Sequence, residues 1–229
     1  MTGELDVDVL FDQGDVLVVD KPAGLAMHGG MGVNEDDSLH GAISAAWGIE
    51  PGFAGPSFLG RLDRPTSGLV VACLSRSGLA QVEPPWARGE ICKDYLVIVH
   101  GSIGAEGTID IPLAARSKRL KGSGRVEQAR TSFKRLAGHA RASLVVARLH
   151  TGRTHQIRRH MKAVGHPVVG DGRYGNSKRD GALAQLGVML HAWQLTHDGS
   201  VPIVPALLMA PCPARMHEAA KALGFTAPR

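Results

Sequence analysis

The sequence predicts an α+β fold built on a largely antiparallel, mixed β-sheet with flanking helices and loops, and three observations lead there. Short β-branched runs outnumber amphipathic stretches. The two kinds do not alternate in the regular strand-helix rhythm that a parallel sheet requires. Clusters of Gly and Pro punctuate the runs as turns. With 229 residues, 44% hydrophobic and 21% charged, the chain has enough apolar side chain to bury a core, which excludes wholesale disorder. We expect one domain over 1–229, without internal repeat, linker or low-complexity tract. There is no uninterrupted apolar run long enough for a membrane span, and the first residues, Met-Thr-Gly-Glu-Leu-Asp, lack the basic-then-apolar order of a secretory leader. These features predict a cytoplasmic protein with no membrane partner.

Residues 14–20, Gly-Asp-Val-Leu-Val-Val-Asp, read as a buried strand stopped by Lys21-Pro22-Ala23-Gly24. The glycine-rich stretch 28–32 follows, without the spacing of a nucleotide-binding fingerprint. A helix is expected over 39–47 and a loop over 48–58. The nonapeptide Gly60-Arg61-Leu62-Asp63-Arg64-Pro65-Thr66-Ser67-Gly68 is a charged turn beside a strand over 69–74. A helix starting near Ser77 is expected to break at Pro84-Pro85. Strands are expected over 93–100, 129–136 and Ala142–Leu149. Residues 154–164 read as an amphipathic helix with Ile157, Met161 and Val164 on its apolar side and Gly165 as its stop. A loop over 165–175, a strand over 189–196 and a closing helix over 213–223 complete the reading.

The formal charge is +5 and the pI about 9.4, the footprint of a protein that meets polyphosphate. Much of the excess sits in two segments. One holds Arg116, Lys118, Arg119, Lys121 and Arg125; the other holds Arg153, Arg158, Arg159 and Lys162 with His155 and His160. Such runs are also common as solvated faces. Three cysteines, without a Cys-x-x-Cys pair, suggest neither zinc nor redox chemistry.

Asp63, flanked by Arg61 and Arg64, is suited to act as nucleophile or base, or is simply a surface ion pair. Arg158 lies at the margin of an apolar helix face, where a guanidinium either pairs with a carboxylate, Asp63 or Asp171, or snorkels over the core. Tyr95 reads locally as a packing residue. His155 and His160 are five apart and do not share a helix face as an i, i+4 metal pair does, so no metal is expected. A Gly-x-Ser-x-Gly hydrolase elbow is absent.

In combination, Val19-Asp20-Lys21-Pro22-Ala23-Gly24-Leu25, Arg61 to Gly68, Lys93-Asp94-Tyr95, Gly152-Arg153-Thr154-His155-Gln156-Ile157-Arg158, Gly165 to Asp171 and Leu190-His191-Ala192 resemble the RluA-type pseudouridine synthase family, in its order. The resemblance implies a fold with a central RNA-binding cleft. It implies isomerisation of uridine to pseudouridine in RNA, without cofactor or metal. By the same resemblance Asp63 is the essential residue, Arg158 pairs with it, and Tyr95 stacks on the uracil. Ile157 lines the base pocket, and Arg61 fills the gap left by a flipped base. Lys21, Arg64, Arg153 and His155 are expected at the substrate. One departure is Gly60, where the family usually has His; the change is expected to bear on loop support or RNA contact. The first matching strand begins close to Met1, so a stand-alone catalytic domain without an S4 domain is expected, acting as a monomer. The Ala26 to Gly30 loop tilts the RNA partner toward 23S ribosomal RNA, with tRNA, or RNA binding without catalysis, as alternatives.

Overall fold

Continuous apolar runs mark strands covered on both faces, and alternating ones mark strands with a wet face. The computed structural model, which describes residues 7–30, 32–115 and 125–228, contains both kinds. In chain order the elements are β1 (Asp8–Asp12), β2 (Val16–Lys21), α1 (Leu39–Ala46), β3 (Ser57–Leu59), β4 (Ser67–Cys73), α2 (Arg76–Ala87) and β5 (Cys92–His100). They continue with β6 (Glu106–Asp110), β7 (Leu113–Ala114), β8 (Val126–Glu127), β9 (Arg130–Gly138), β10 (Ala142–Leu149), α3 (Gln156–Ala163) and α4 (Ser177–Asp180). β11 (Leu190–Thr196), β12 (Leu207–Met209) and α5 (Ala214–Ala222) close the chain.

The chain divides into two compact units. The first holds the residues through Lys93 together with Ala192–Ala210. Its strands run in the order β1, β2, β4, β11, with β3 also paired to β4 and β12 to β11. β4 is buried at every residue, which is why Ser-Gly-Leu-Val-Val-Ala-Cys shows no alternation. The expected break in α2 does not occur. Pro84 and Pro85 lie near its end, where they withhold only their own N–H groups, while their carbonyls still accept from Arg88 N at 3.1 Å and Glu90 N at 3.0 Å.

The second unit holds Asp94–His191 and the residues from Pro211 onward. β5 pairs antiparallel with β10, β10 with β9, and β9 with β6; β7 and β8 form a separate two-stranded ladder. β9 alternates exposed and covered positions, as an antiparallel strand with one wet face should. α3 is shorter than the sequence predicts, because His155 turns into the left-handed region at φ 55° and the helix starts after it. Its end is the expected one: Gly165 N donates to Lys162 O and His166 N to Met161 O, closing the last turn by a Schellman pair. Val164 falls outside the helix and is exposed, so the buried face is Gln156, Ile157, Arg158, His160 and Met161.

Among the described residues, no helix is long and apolar enough to cross a membrane. Of the first basic segment, Arg116, Lys118, Arg119 and Lys121 lie outside the described residues; Arg125, just before β8, is exposed.

Candidate active site

The Asp63 loop joins β3 to β4. Leu62 is buried, Arg61 and Arg64 are exposed, and Asp63 is half-buried between them. The loop is fixed by the turn at the end of β2. Gly24 N donates to Arg64 O at 2.8 Å, and Arg64 Nε donates to Gly24 O at 2.8 Å. Lys21 enters the same knot from within: it is fully buried, and its Nζ donates to Pro22 O (2.7 Å), Leu25 O (2.8 Å) and Arg64 O (3.3 Å). This alters the role expected of Lys21. A buried ammonium bonded to three carbonyls holds the loop in place, and Arg61 and Arg64 present exposed charges.

The other end of the loop rests on Lys93, whose Nζ donates to Gly60 O at 3.0 Å. Burial, reinforced by the charge of Lys21, pulls the Lys93 ammonium from its ordinary 10.5 down to about 7. Gly60 sits at φ 63°, and a Cβ there would lie 2.4 Å from Trp86 Cζ2. The side chain expected at this position by resemblance is therefore replaced by the indole of α2 pressed against a bare backbone. Asp20, near the end of β2, is pushed up to about 6 by burial and by Asp8, against the opposing effects of the Gly68 amide and Lys21.

In the second unit, Arg158 and Asp171 form a two-pronged pair. Arg158 Nε donates to Asp171 Oδ2 at 2.7 Å and Nη2 to Oδ1 at 2.8 Å, with 5% and 0% of the two side chains exposed. Oδ1 also accepts from Arg173 N (3.0 Å) and Tyr174 N (3.1 Å). Burial alone would raise the Asp171 pKa; the Arg158 bonds and these two amides outweigh it and hold the carboxyl below its ordinary range. Of the two partners that the sequence leaves open for Arg158, Asp171 is thus in contact. Tyr174 lies under the Arg158 guanidinium, 5.2 Å from carbon to ring centre, and its hydroxyl is 3.0 Å from His155 Nδ1. His155, Arg158 and Tyr174 therefore form one cluster, of which the sequence motifs single out the first two and not Tyr174.

Gln156 is the second residue that the sequence does not single out. Its Oε1 accepts from Thr151 Oγ1 (2.8 Å) and Arg153 N (3.0 Å), and its Nε2 donates to Arg130 O and Thr131 Oγ1, both at 3.0 Å. One buried amide thus ties the loop before α3 to β9. Arg153 is half-buried, with Nε on Gln128 O at 3.0 Å. Ile157 is buried beside Arg158. Tyr95 is a buried residue of β5, opposite Ala147 of β10, and its neighbour Asp94 takes both Arg148 Nε and Nη2 at 2.6 Å.

Residues 15–163 match the family model described as RNA pseudouridylate synthase. The chain is 33% identical over 210 residues to ribosomal large subunit pseudouridine synthase D of Zymomonas mobilis, covering 86% of this chain and 66% of that protein. It is 33% identical over 207 residues to ribosomal large subunit pseudouridine synthase C of Vibrio cholerae, covering 86% and 64%. The chain thus spans just under two thirds of the length of these curated relatives. Among solved structures, human RNA Pseudouridylate Synthase Domain Containing 4 shares the fold with a TM-score of 0.73 at 21% identity, over 97% of this chain and 95% of that one. Human RNA Pseudouridylate Synthase Domain Containing 1 shares it at 0.65 and 23%, over 99% and 98%. The matched span takes in both the Arg61 to Arg64 loop and helix α3, and the chain belongs to the RNA pseudouridylate synthase family.

Proposed function

We propose that this chain isomerises uridine to pseudouridine in structured RNA, that the RNA is 23S ribosomal RNA, and that the reaction needs neither cofactor nor metal. The observation that carries the proposal is the Asp63 loop, an aspartate between two exposed arginines, held by Lys21 and Gly24, in a chain of this family. The names of the relatives at 33% identity support the ribosomal substrate. The chain then acts in the cytoplasm, as a monomer.

In the proposed reaction the C1′–N1 bond breaks, the base turns, and a C1′–C5 bond forms; C5 loses its proton and N1 gains one. Asp63 serves the sugar, by attack or by stabilising and deprotonating it, which is the work a carboxylate does when a base leaves ribose. Tyr95 stacks on the uracil and takes the C5 proton. Arg158 orients Asp63, with Asp171 and Tyr174 holding the guanidinium. The target base must first leave its stack, at a cost of a few kcal/mol. Arg61 fills the vacated space, while Arg64, Arg153, His155 and the basic segments contact phosphate.

The test is tritium release from RNA labelled at C5 of uridine, with ribosomal RNA and tRNA transcripts side by side. Wild type should release tritium from ribosomal RNA, and Asp63→Asn should bind the same RNA and release none. Release by the variant would remove Asp63 from the chemistry. Release from tRNA alone would replace the substrate, and salt-sensitive binding with no release from any transcript would make the chain a silent RNA-binding protein.

A further inference from the structure

Between the β2 turn and α1 the chain folds back so that His28, Glu35 and His40 converge. One ring nitrogen from each histidine and one carboxylate oxygen all lie within 4.8 Å of one another. Glu35 opens a single 3₁₀ turn, Glu35–Asp37, and Ser38 then caps α1 by accepting from Gly41 N at 3.1 Å, which sets His40 in the first turn of the helix beside Glu35. Glu35 Oε1 lies 2.8 Å from His40 Nδ1 and 3.2 Å from the Ser38 hydroxyl; Oε2 accepts from Gly29 N at 2.9 Å. The two imidazoles are 5.5 Å apart between ring centres, and Phe58 of β3 packs against both, at 5.3 and 6.3 Å.

One glycine makes room for the carboxylate, and a second lets α1 approach the main chain of Glu35. A Cβ on Gly29 would lie 2.4 Å from Glu35 Oε2 and 2.8 Å from Glu35 Cα, and one on Gly41 would lie 2.2 Å from Glu35 O. The Glu35 main chain is thus packed between the 28–30 turn and α1, and its exposed carboxylate has both oxygens already engaged. A chance surface pairing of Glu with His needs one histidine and no such packing; here a second imidazole is brought to the same carboxylate.

We infer that His28, Glu35 and His40 form a binding site for a divalent transition metal of the zinc type, with three protein ligands and a fourth position for water. Two imidazoles and one carboxylate are the donor set of an open zinc site, whereas calcium or magnesium would ask for more oxygens. Ser38 Oγ and Gly29 N supply the outer bonds that orient the carboxylate. The ion pins the 28–30 turn to α1 and, through Phe58, to the strand that leads into the Asp63 loop. Its role is structural, and it takes no part in the proposed isomerisation. Spacings of seven and five residues match no compact metal motif, so the sequence carries no sign of the site.

The test uses the full chain freed of metal by chelator, titrated calorimetrically with Zn²⁺, and with Co²⁺ followed by its visible ligand-field bands. Wild type should take up one Zn²⁺ per chain and gain thermal stability from it. His28→Ala and His40→Ala should weaken binding by at least about 100-fold and abolish the Co²⁺ bands, and Glu35→Gln should weaken it at least about tenfold. His217→Ala, on a helix of the second unit, should bind as wild type does. His28 is exposed, so His28→Ala should keep its circular dichroism and remain informative even if the buried flank of His40 does not tolerate change. Absence of saturable one-to-one binding, or equal binding by wild type and a folded His28→Ala, overturns the proposal. Because the readout is binding, its failure leaves the isomerase reading untouched.

Discussion

Lys21 carries its charge into a fully buried site where three carbonyl oxygens hold it, whereas Arg158, buried almost as deeply, is held by the carboxylate of Asp171. The Lys21 charge acts on its neighbours, Asp20 and Lys93. Lys93 registers that charge: burial and Lys21 together bring its ammonium down to about 7. Asp171 instead cancels the charge it holds and, by gripping two guanidinium nitrogens, fixes the plane of the fork. The first unit holds a buried ammonium on carbonyl oxygens under a loop that is proposed to face RNA, and the second holds a guanidinium gripped by a carboxylate. The same residue class, buried twice, is used once for potential and once for geometry.

The largest effect should come from breaking the compensated pair. Asp171→Ala strips a buried guanidinium of its carboxylate and leaves two amides without their acceptor, and should cost about 3–5 kcal/mol in urea unfolding. The double variant Arg158→Met, Asp171→Leu should recover most of that stability. A loss under about 1 kcal/mol in Asp171→Ala would mean that the carboxylate is not what holds Arg158. Second in size is Lys21→Met, at about 2–4 kcal/mol, because it leaves carbonyls unpaired in place of a bare charge. If it cost more than Asp171→Ala, the ranking of dipole against carboxylate would be reversed.

What the sequence reveals of these two arrangements follows the distance along the chain and the type of acceptor. Asp171 is 13 residues from Arg158 and is a carboxylate, so the residues alone already place it among the candidate partners. Lys21 reaches Arg64 O across 43 residues and Lys93 reaches Gly60 O across 33, and a backbone acceptor carries no residue signature. The Lys21 motif is therefore visible while its use is not. Elements follow the same logic. β10 spans the predicted Ala142–Leu149, because the short apolar stretch around Leu144-Val145-Val146 is too brief for a helix face, and the Gly165 stop is a local signal. The continuation of α2 through Pro84-Pro85 is not readable, since proline propensity does not say that the helix is one turn from its end.

The third effect concerns the Gly60 departure and is confined to the first unit. Gly60→His should cost about 2 kcal/mol, from a non-glycine residue at φ 63° and from the contact with Trp86. Adding Trp86→Ala should remove the steric part and leave the backbone part. Equal stability of Gly60→His and wild type in urea would show that the indole yields freely.

The smallest effect is the one that reads the Lys21 charge through Lys93, in the pH dependence of stability. The folded value for Lys93, about 7, lies below the ordinary 10.5 expected of the unfolded chain, so between the two the unfolded state binds the extra proton. Stability therefore rises with pH above 7 and flattens below it, with a slope of at most about 1.4 kcal/mol per pH unit. From pH 7 to 8 the gain should be about 1 kcal/mol. Asp20, raised to about 6, acts below that window and in the opposite sense: stability falls as pH rises toward 6. The thiols of Cys73 and Cys212, pushed by burial to about 12 and about 11, lower stability only above about 8.5, where the unfolded thiols ionise. Lys93→Met should abolish the rise, and Lys21→Met should shift it to higher pH, since removing the neighbouring charge lets the Lys93 ammonium titrate nearer its ordinary value. Arg158→Met, Asp171→Leu should leave the slope as in wild type, because the charge it removes was already balanced. A slope that survives in Lys93→Met would assign the titration to another group and dissolve the contrast between the two buried cations.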